Sequence, residues 1–163
     1  TVFTQESLST GINKSSIELI RFQSNIKSSI SKWKNVINTK NVSDNIDLYD
    51  GFKASFGGEK LNQIKGSTKL RVVLAYHAAL FEQIVTSNPL GMRFLILDTP
   101  RQHDISAEDL DQFIKALKVL ADESNIQVVF STTEYKYESG DNDKDWLPSY
   151  DDESFDQTMY LGS

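Results

Sequence analysis

The chain has 163 residues, 39% hydrophobic and 25% charged, with a formal net charge of −6 and no cysteine. That size and balance suit one globular domain that buries a core without staples, and they exclude disulfide scaffolds and cysteine-based metal sites. The longest apolar run falls well short of the ~18 residues a membrane span needs, and no N-terminal segment has the layout of a signal peptide; a soluble, cytoplasmic protein without a membrane partner is expected.

The charge is uneven. Residues 1–135 carry 15 acidic and 15 basic side chains, while residues 136–163 carry 8 acidic and 2 basic. Within residues 1–71, 11 Lys and Arg face 6 Asp and Glu. A basic front and an acidic tail suit polyanion contact at one end and solvation at the other. A merely solvated surface accounts for both ends as well.

Residues 1–14 are polar and without a clear period. From Ser15 to residue 38 the pattern is helical: Leu19, Phe22, Ile26, Ile30, Trp33 and Ile37 form one apolar stripe, with Lys27, Lys32 and Lys34 between them. The stripe fits a coiled-coil seam or the inner face of a packed helix. "NIDLYDGFKASFGGEKL" alternates apolar and polar residues around Gly51, Gly57 and Gly58, which predicts short strands joined by turns. A helix apolar on most faces follows from Leu70 to Val85, and "SNPLG" breaks it. "RFLILD" at 93–98 reads as a buried strand. "SAEDLDQFIKALKVLADES" reads as an amphipathic helix capped by Ser106, with Leu110, Phe113, Ile114, Leu117 and Leu120 inward. "IQVVFSTTEY" is a second apolar strand, "QTMYL" at 157–161 a possible last one, and the stretch between them an acidic loop.

Strand 93–97, helix 106–121 and strand 126–131 make a β-α-β unit, whose crossover joins parallel strands. Neither strand alternates with polar residues, which predicts a sheet covered on both faces. The fold class is α/β. Ligands of open parallel sheets bind beyond the carboxyl ends of the strands, and both strands end there in polar groups: Asp98 and Thr99 on one, Ser131, Thr132 and Thr133 on the other. A carboxylate at such a point suits Mg²⁺ beside nucleotide phosphates; it also suits a turn or helix cap. Gly66 and Ser67 fall at the N-terminus of the apolar helix, where backbone N–H groups favour an anion.

In order and spacing these elements resemble the C-terminal half of an ABC-type ATPase head of the SMC-like kind, a family of chromosome maintenance, double-strand-break repair and phage defence. The resemblance covers roughly residues 60–135. "IKGSTKLRVVLAYHAAL" resembles the signature motif and its helix, "RFLILDTP" the Walker B strand, "RQHDI" the D-loop and "VVFSTTEY" the switch strand. It implies a mostly parallel sheet flanked by helices, with signature, Walker B, D-loop and switch region within residues 41–135, preceded in residues 1–40 by a polar lead-in and a helix returning from a coiled coil; the acidic loop and last strand fill 136–163. It further implies ATP and Mg²⁺ as cofactors, with Asp98 serving the metal, and Gly66, Ser67 and Thr68 meeting the γ-phosphate held by an opposite head. Gln102 and His103 would lie at the interface between heads. Thr99 and Thr132 stand where the family most often has a catalytic Glu and a switch His. Threonine is no general base at neutral pH, so these two are left to orient water or phosphate by hydrogen bonds, with Glu134 or Asp104 as the remaining acids; slow turnover is expected.

An ATP site also needs a phosphate loop. "LSTGINKSS" at 8–16 has Leu8 and Asn13 where glycines belong and no strand before it, so it reads instead as a polar lead-in and N-cap. The resemblance then implies an N-terminal Walker A lobe elsewhere in the same protein, a second head, accessory subunits and DNA as partners. Two alternatives stand beside the ATPase: a nucleotide-gated dimerisation scaffold with little hydrolysis, and a non-enzymatic interaction module using its acidic tail. His77 is expected as a core or interface histidine. Arg101 suits nucleotide contact or a surface ion pair. Lys27, Lys32 and Lys34 suit DNA or plain solvation, and Asp151, Asp152 and Glu153 suit a metal or an acidic loop.

Overall fold

The computed structural model describes residues 3–88, 91, 93–98, 105–131, 135–141 and 143–144, with side chains from Ser16 onward. Helix α1 runs over Phe3–Val36. It begins well before Ser15, so the expected polar lead-in is helical and "LSTGINKSS" lies inside the helix, not at its cap. No proline interrupts residues 3–36, and a helix once nucleated propagates through polar sequence one hydrogen bond at a time.

The apolar stripe of α1 divides into two environments. Ile26, Ile30, Trp33 and the following Ile37 are buried, Trp33 standing edge-on to Phe113 with ring centroids 5.6 Å apart. Upstream, Phe22 is half-buried against Phe52, while Ile17, Leu19 and Ile20 are exposed. Packed face and open seam are thus successive parts of one helix.

Strands β1 (Ile46–Tyr49), β2 (Lys53–Phe56) and β3 (Glu59–Lys60) form an antiparallel meander with Ile46 opposite Phe56 and Phe56 opposite Glu59. The expected turns are there. Gly57 and Gly58 take positive φ between β2 and β3, as tight hairpin turns require. At Gly57 space matters too: a Cβ would lie 2.7 Å from that of Ser43.

Helix α2 (Gly66–Ser87) buries Val72, Leu74, Ala75, Ala78, Ala79, Phe81 and Val85, which places it in the middle of the core as its composition predicts. His77 corrects that pattern, since its side chain is exposed and stands 6.0 Å from the Tyr76 ring. The β-α-β unit follows: β4 (Phe94–Leu97), α3 (Ala107–Ser124) and β5 (Gln127–Phe130), with β4 and β5 parallel and Leu97 opposite Phe130. Ser106 accepts from the Asp109 backbone N–H as the N-cap of α3, and all five expected apolar positions of α3 are buried. Asn125 ends the helix in the left-handed conformation, a common stop.

The chain is therefore mixed α/β, with three helices, an antiparallel three-stranded sheet and a parallel two-stranded sheet among the described residues. Two expectations change. Among the described residues the sheet content is not mostly parallel, and the parallel pair is covered on one face only. Leu95, Leu97, Val128 and Phe130 pack on the core, whereas Phe94, Ile96 and Val129 remain 44%, 60% and 49% exposed. The described residues of the acidic loop, 135–141 and 143–144, are tied to α3 and β5. Tyr135 donates to Asp111 at 2.7 Å, Tyr137 donates to Asp143 at 2.9 Å and stands edge-on to Phe130, and Lys118 of α3 pairs with Asp143. The expected last strand at 157–161 lies outside the described residues. Among those described, no helix is long and apolar enough to cross a membrane.

Candidate nucleotide site

The parallel register of β4 and β5 sets their carboxyl ends side by side. Leu97 is the last residue of β4 and is buried; the backbone N–H of Ser131, just past β5, donates to its carbonyl at 3.0 Å. Asp98 and Ser131 therefore leave their strands together into solvent, and the Ser131 hydroxyl donates to Asp98 Oδ1 at 3.0 Å. The strand ends on a carboxylate because a charge would be costly one residue earlier, where Leu97 is buried, and is solvated here. Ser131 was legible as a strand-end hydroxyl, but its bond to Asp98 depends on the strand register.

The second part of the site is the start of α2. Gly66 has φ +61°, a conformation that favours glycine, and a Cβ there would meet nothing within 4 Å. Its role is conformational, not steric. Lys65 precedes it as an extended N-cap with no side-chain capping bond, and the first turn holds no acid. The helix start thus keeps its positive character. Gly66 and Ser67 are exposed and Thr68 is half-buried; the Thr68 hydroxyl lies 3.5 Å from the Lys40 carbonyl oxygen.

The structure thus brings Asp98 and Ser131 together, and carries Gly66, Ser67 and Thr68 on a separate element. Thr99, Thr132, Gln102 and His103 lie outside the described residues, as do Arg101, Asp104, Glu134, Asp151, Asp152 and Glu153. Among the described residues no group of three or more His, Cys, Asp or Glu could cage a metal ion. One carboxylate with a neighbouring hydroxyl suits Mg²⁺, an ion that retains several waters and takes its other ligands from phosphate. It does not suit a metal that needs an all-protein cage.

Two buried polar groups hold these elements in place. Asp109, in the first turn of α3, pairs with Arg71 of α2 at 2.8 Å and accepts from Asn38 at 3.1 Å. Burial pushes the Asp109 carboxyl up, but hydrogen bonds from Ser106, Asn38 and Arg71, with the Arg71 charge, outweigh it and hold the group below its ordinary value. Glu82 of α2 accepts from Ser29, from Lys32 at 2.5 Å and from Trp33 Nε1 at 3.0 Å, all on α1. There too burial pushes upward and is outweighed, by the bonds from Lys32, Ser29 and Trp33 and by the Lys32 charge. The sequence did carry a signal: Arg71 and Glu82 are the only charges between Leu70 and Val85, and a charge in a buried helix must find a partner.

The lysines considered for DNA are engaged within the fold. Lys27 pairs with Asp47 at 3.0 Å and Lys32 with Glu82. Lys34, almost fully buried, pairs with Asp44 at 2.9 Å and lies over the Phe56 ring. No protein-family model matches the chain, and no curated protein matches it either.

Proposed function

We propose that the chain is the C-terminal lobe of an SMC-like ATPase head, which binds Mg²⁺-ATP once joined to a Walker A lobe and pairs with a second head. The observation that carries this reading is the pairing of Asp98 with Ser131 at the carboxyl ends of two parallel strands whose outer face is left apolar and open. Parallel sheets occur almost only with both faces covered, and among the described residues the outer face of β4 and β5 stays open, which suits a second lobe as the completing element.

In that setting the residues divide their work. Asp98 supplies the negative charge that holds a hydrated Mg²⁺, and Ser131 fixes the orientation of its carboxylate. The first turn of α2 presents backbone N–H groups at Gly66, Ser67 and Thr68 to a phosphate carried by the opposite head. Mg²⁺-ATP, when bound, would supply the phosphate charge that these N–H groups of the facing head meet. The exposed apolar positions of α1 at Ile17, Leu19 and Ile20 suit a second helix alongside, as in a coiled-coil arm. DNA as the object of the motion and accessory subunits as further partners complete the proposal.

A scaffold with little hydrolysis is the second reading, favoured by threonine at positions 99 and 132. One experiment addresses both. Mg²⁺-ATP binding, ATP-dependent dimerisation and turnover are measured for the complete protein and its Asp98→Ala variant. The head reading expects Asp98→Ala to weaken ATP-driven dimerisation by about 5- to 150-fold, the usual range for coupling between two binding events. Dimerisation without turnover in the unmodified protein selects the scaffold. No ATP response in either protein removes both.

A further inference from the structure

The geometry points to Arg71 and Asp109 as positioning residues that fix the first turn of α2 to the start of α3 and to the end of α1; the inference rests on the ATPase-head reading. Arg71 lies in the second turn of α2, directly downstream of Gly66, Ser67 and Thr68. Its guanidinium donates to the Ile37 carbonyl at 2.5 Å and pairs with Asp109 Oδ2 at 2.8 Å, the two side chains being only 13% and 12% exposed. Asn38, next to Ile37, donates to Asp109 Oδ1. The Asp109 backbone N–H in turn donates to the Ser106 hydroxyl at 3.2 Å, which closes the cap of α3.

Stability alone is a weak reason for such a group. A buried ion pair is often matched or bettered by apolar side chains of similar volume, and its best-attested use is to fix register. Here three segments meet at one guanidinium–carboxylate pair. The first turn of α2 serves the nucleotide of the opposite head. The start of α3 is the next described helix after Asp98, which serves the head's own nucleotide. Ile37 and Asn38 directly follow α1, the helix of the proposed arm. Polar bonds with fixed directions hold these three in one relative orientation where apolar contacts alone permit sliding. The pair thus sets the angle at which one head presents its α2 turn to the other.

The test uses the complete protein with two variants, Asp109→Asn and the double variant Arg71→Met with Asp109→Leu. The second leaves no buried charge unpaired and so keeps the fold if Asp109→Asn alone does not. Three quantities are read: the thermal midpoint, equilibrium Mg²⁺-ATP binding to unpaired heads, and the protein concentration at half dimerisation in saturating Mg²⁺-ATP. We expect the double variant to keep its midpoint and its nucleotide affinity while that concentration rises about tenfold or more, in the range of ordinary coupling between sites. A merely structural role moves nucleotide binding and dimerisation together. If the double variant dimerises like the unmodified protein, the inference fails and the head reading stands. If the unmodified protein does not dimerise with ATP, both fail.

Discussion

The contacts among α1, α2 and α3 and the β4–β5 sheet are held in opposite ways. Between the helices, every charge that enters the core meets a partner, and large side chains such as Trp33 and Phe113 lock together edge-on. The parallel sheet has one apolar face on the core and the other in solvent, and it is only two strands wide among the described residues. Among the described residues the helical body closes on itself, and the outer face of the parallel pair stays open. The surface that a folded chain leaves unfinished is therefore the best guide to what it joins, because burial there is still to be gained.

That contrast predicts unequal sensitivity to substitution. The largest loss is expected at Trp33, 1% exposed, which contributes ring packing on Phe113 and an N–H bond to Glu82. Trp33→Ala is expected to remove about 3–5 kcal/mol, the range for large aromatic truncations in cores. Denaturant unfolding of the chain measures it; a loss below about 0.5 kcal/mol, the level of an ordinary surface change, breaks the description of the helical body as the stable half.

Glu82→Gln comes next. It keeps the shape but removes the charge that Lys32 answers, and a loss of about 1–3 kcal/mol is expected for a buried hydrogen-bonded carboxylate. Its pH dependence has a definite sign. The folded-state values of Glu82 and Asp109 lie below their ordinary values of 4.5 and 3.8. Their stabilisation is therefore complete above those ordinary values and is lost as pH falls through the lower, folded-state values. Melting midpoints across acid pH should fall less steeply for Glu82→Gln than for the unmodified chain. Parallel curves would remove Glu82 from the account of acid sensitivity.

What the sequence disclosed follows the same division. Periodicity located α2, α3 and both parallel strands, because their burial pattern is written in consecutive residues; the Ser106 cap and the five inward positions of α3 were legible to the residue. The strand-end position of Asp98 was legible for the same reason. The start of α1 was not, since polar helix has no apolar period to read. Nor was the bare face of the parallel pair: an apolar run looks the same whether a covering element belongs to the same chain or to another. The Asp98–Ser131, Arg71–Asp109 and Glu82 contacts join residues far apart in sequence and depend on register and helix rotation, which local pattern does not fix.

The smallest effect on the chain itself is expected at Ile96, and it is the sharpest test of the contrast. Its side chain is 60% exposed on the outer face, opposite Val129 of β5 and beside Phe94. Ile96→Lys gives up little packing and places its ammonium in water, so stability should change by no more than about 0.5 kcal/mol. On the proposed head reading the same lysine would have to be buried against the complementing lobe, an uncompensated charge in an apolar contact. A silent substitution in the isolated chain that prevents assembly of the head is the expected pair of results. If Ile96→Lys instead unfolds the isolated chain as Trp33→Ala does, the outer face is already covered from within, and the sheet is as finished as the helices.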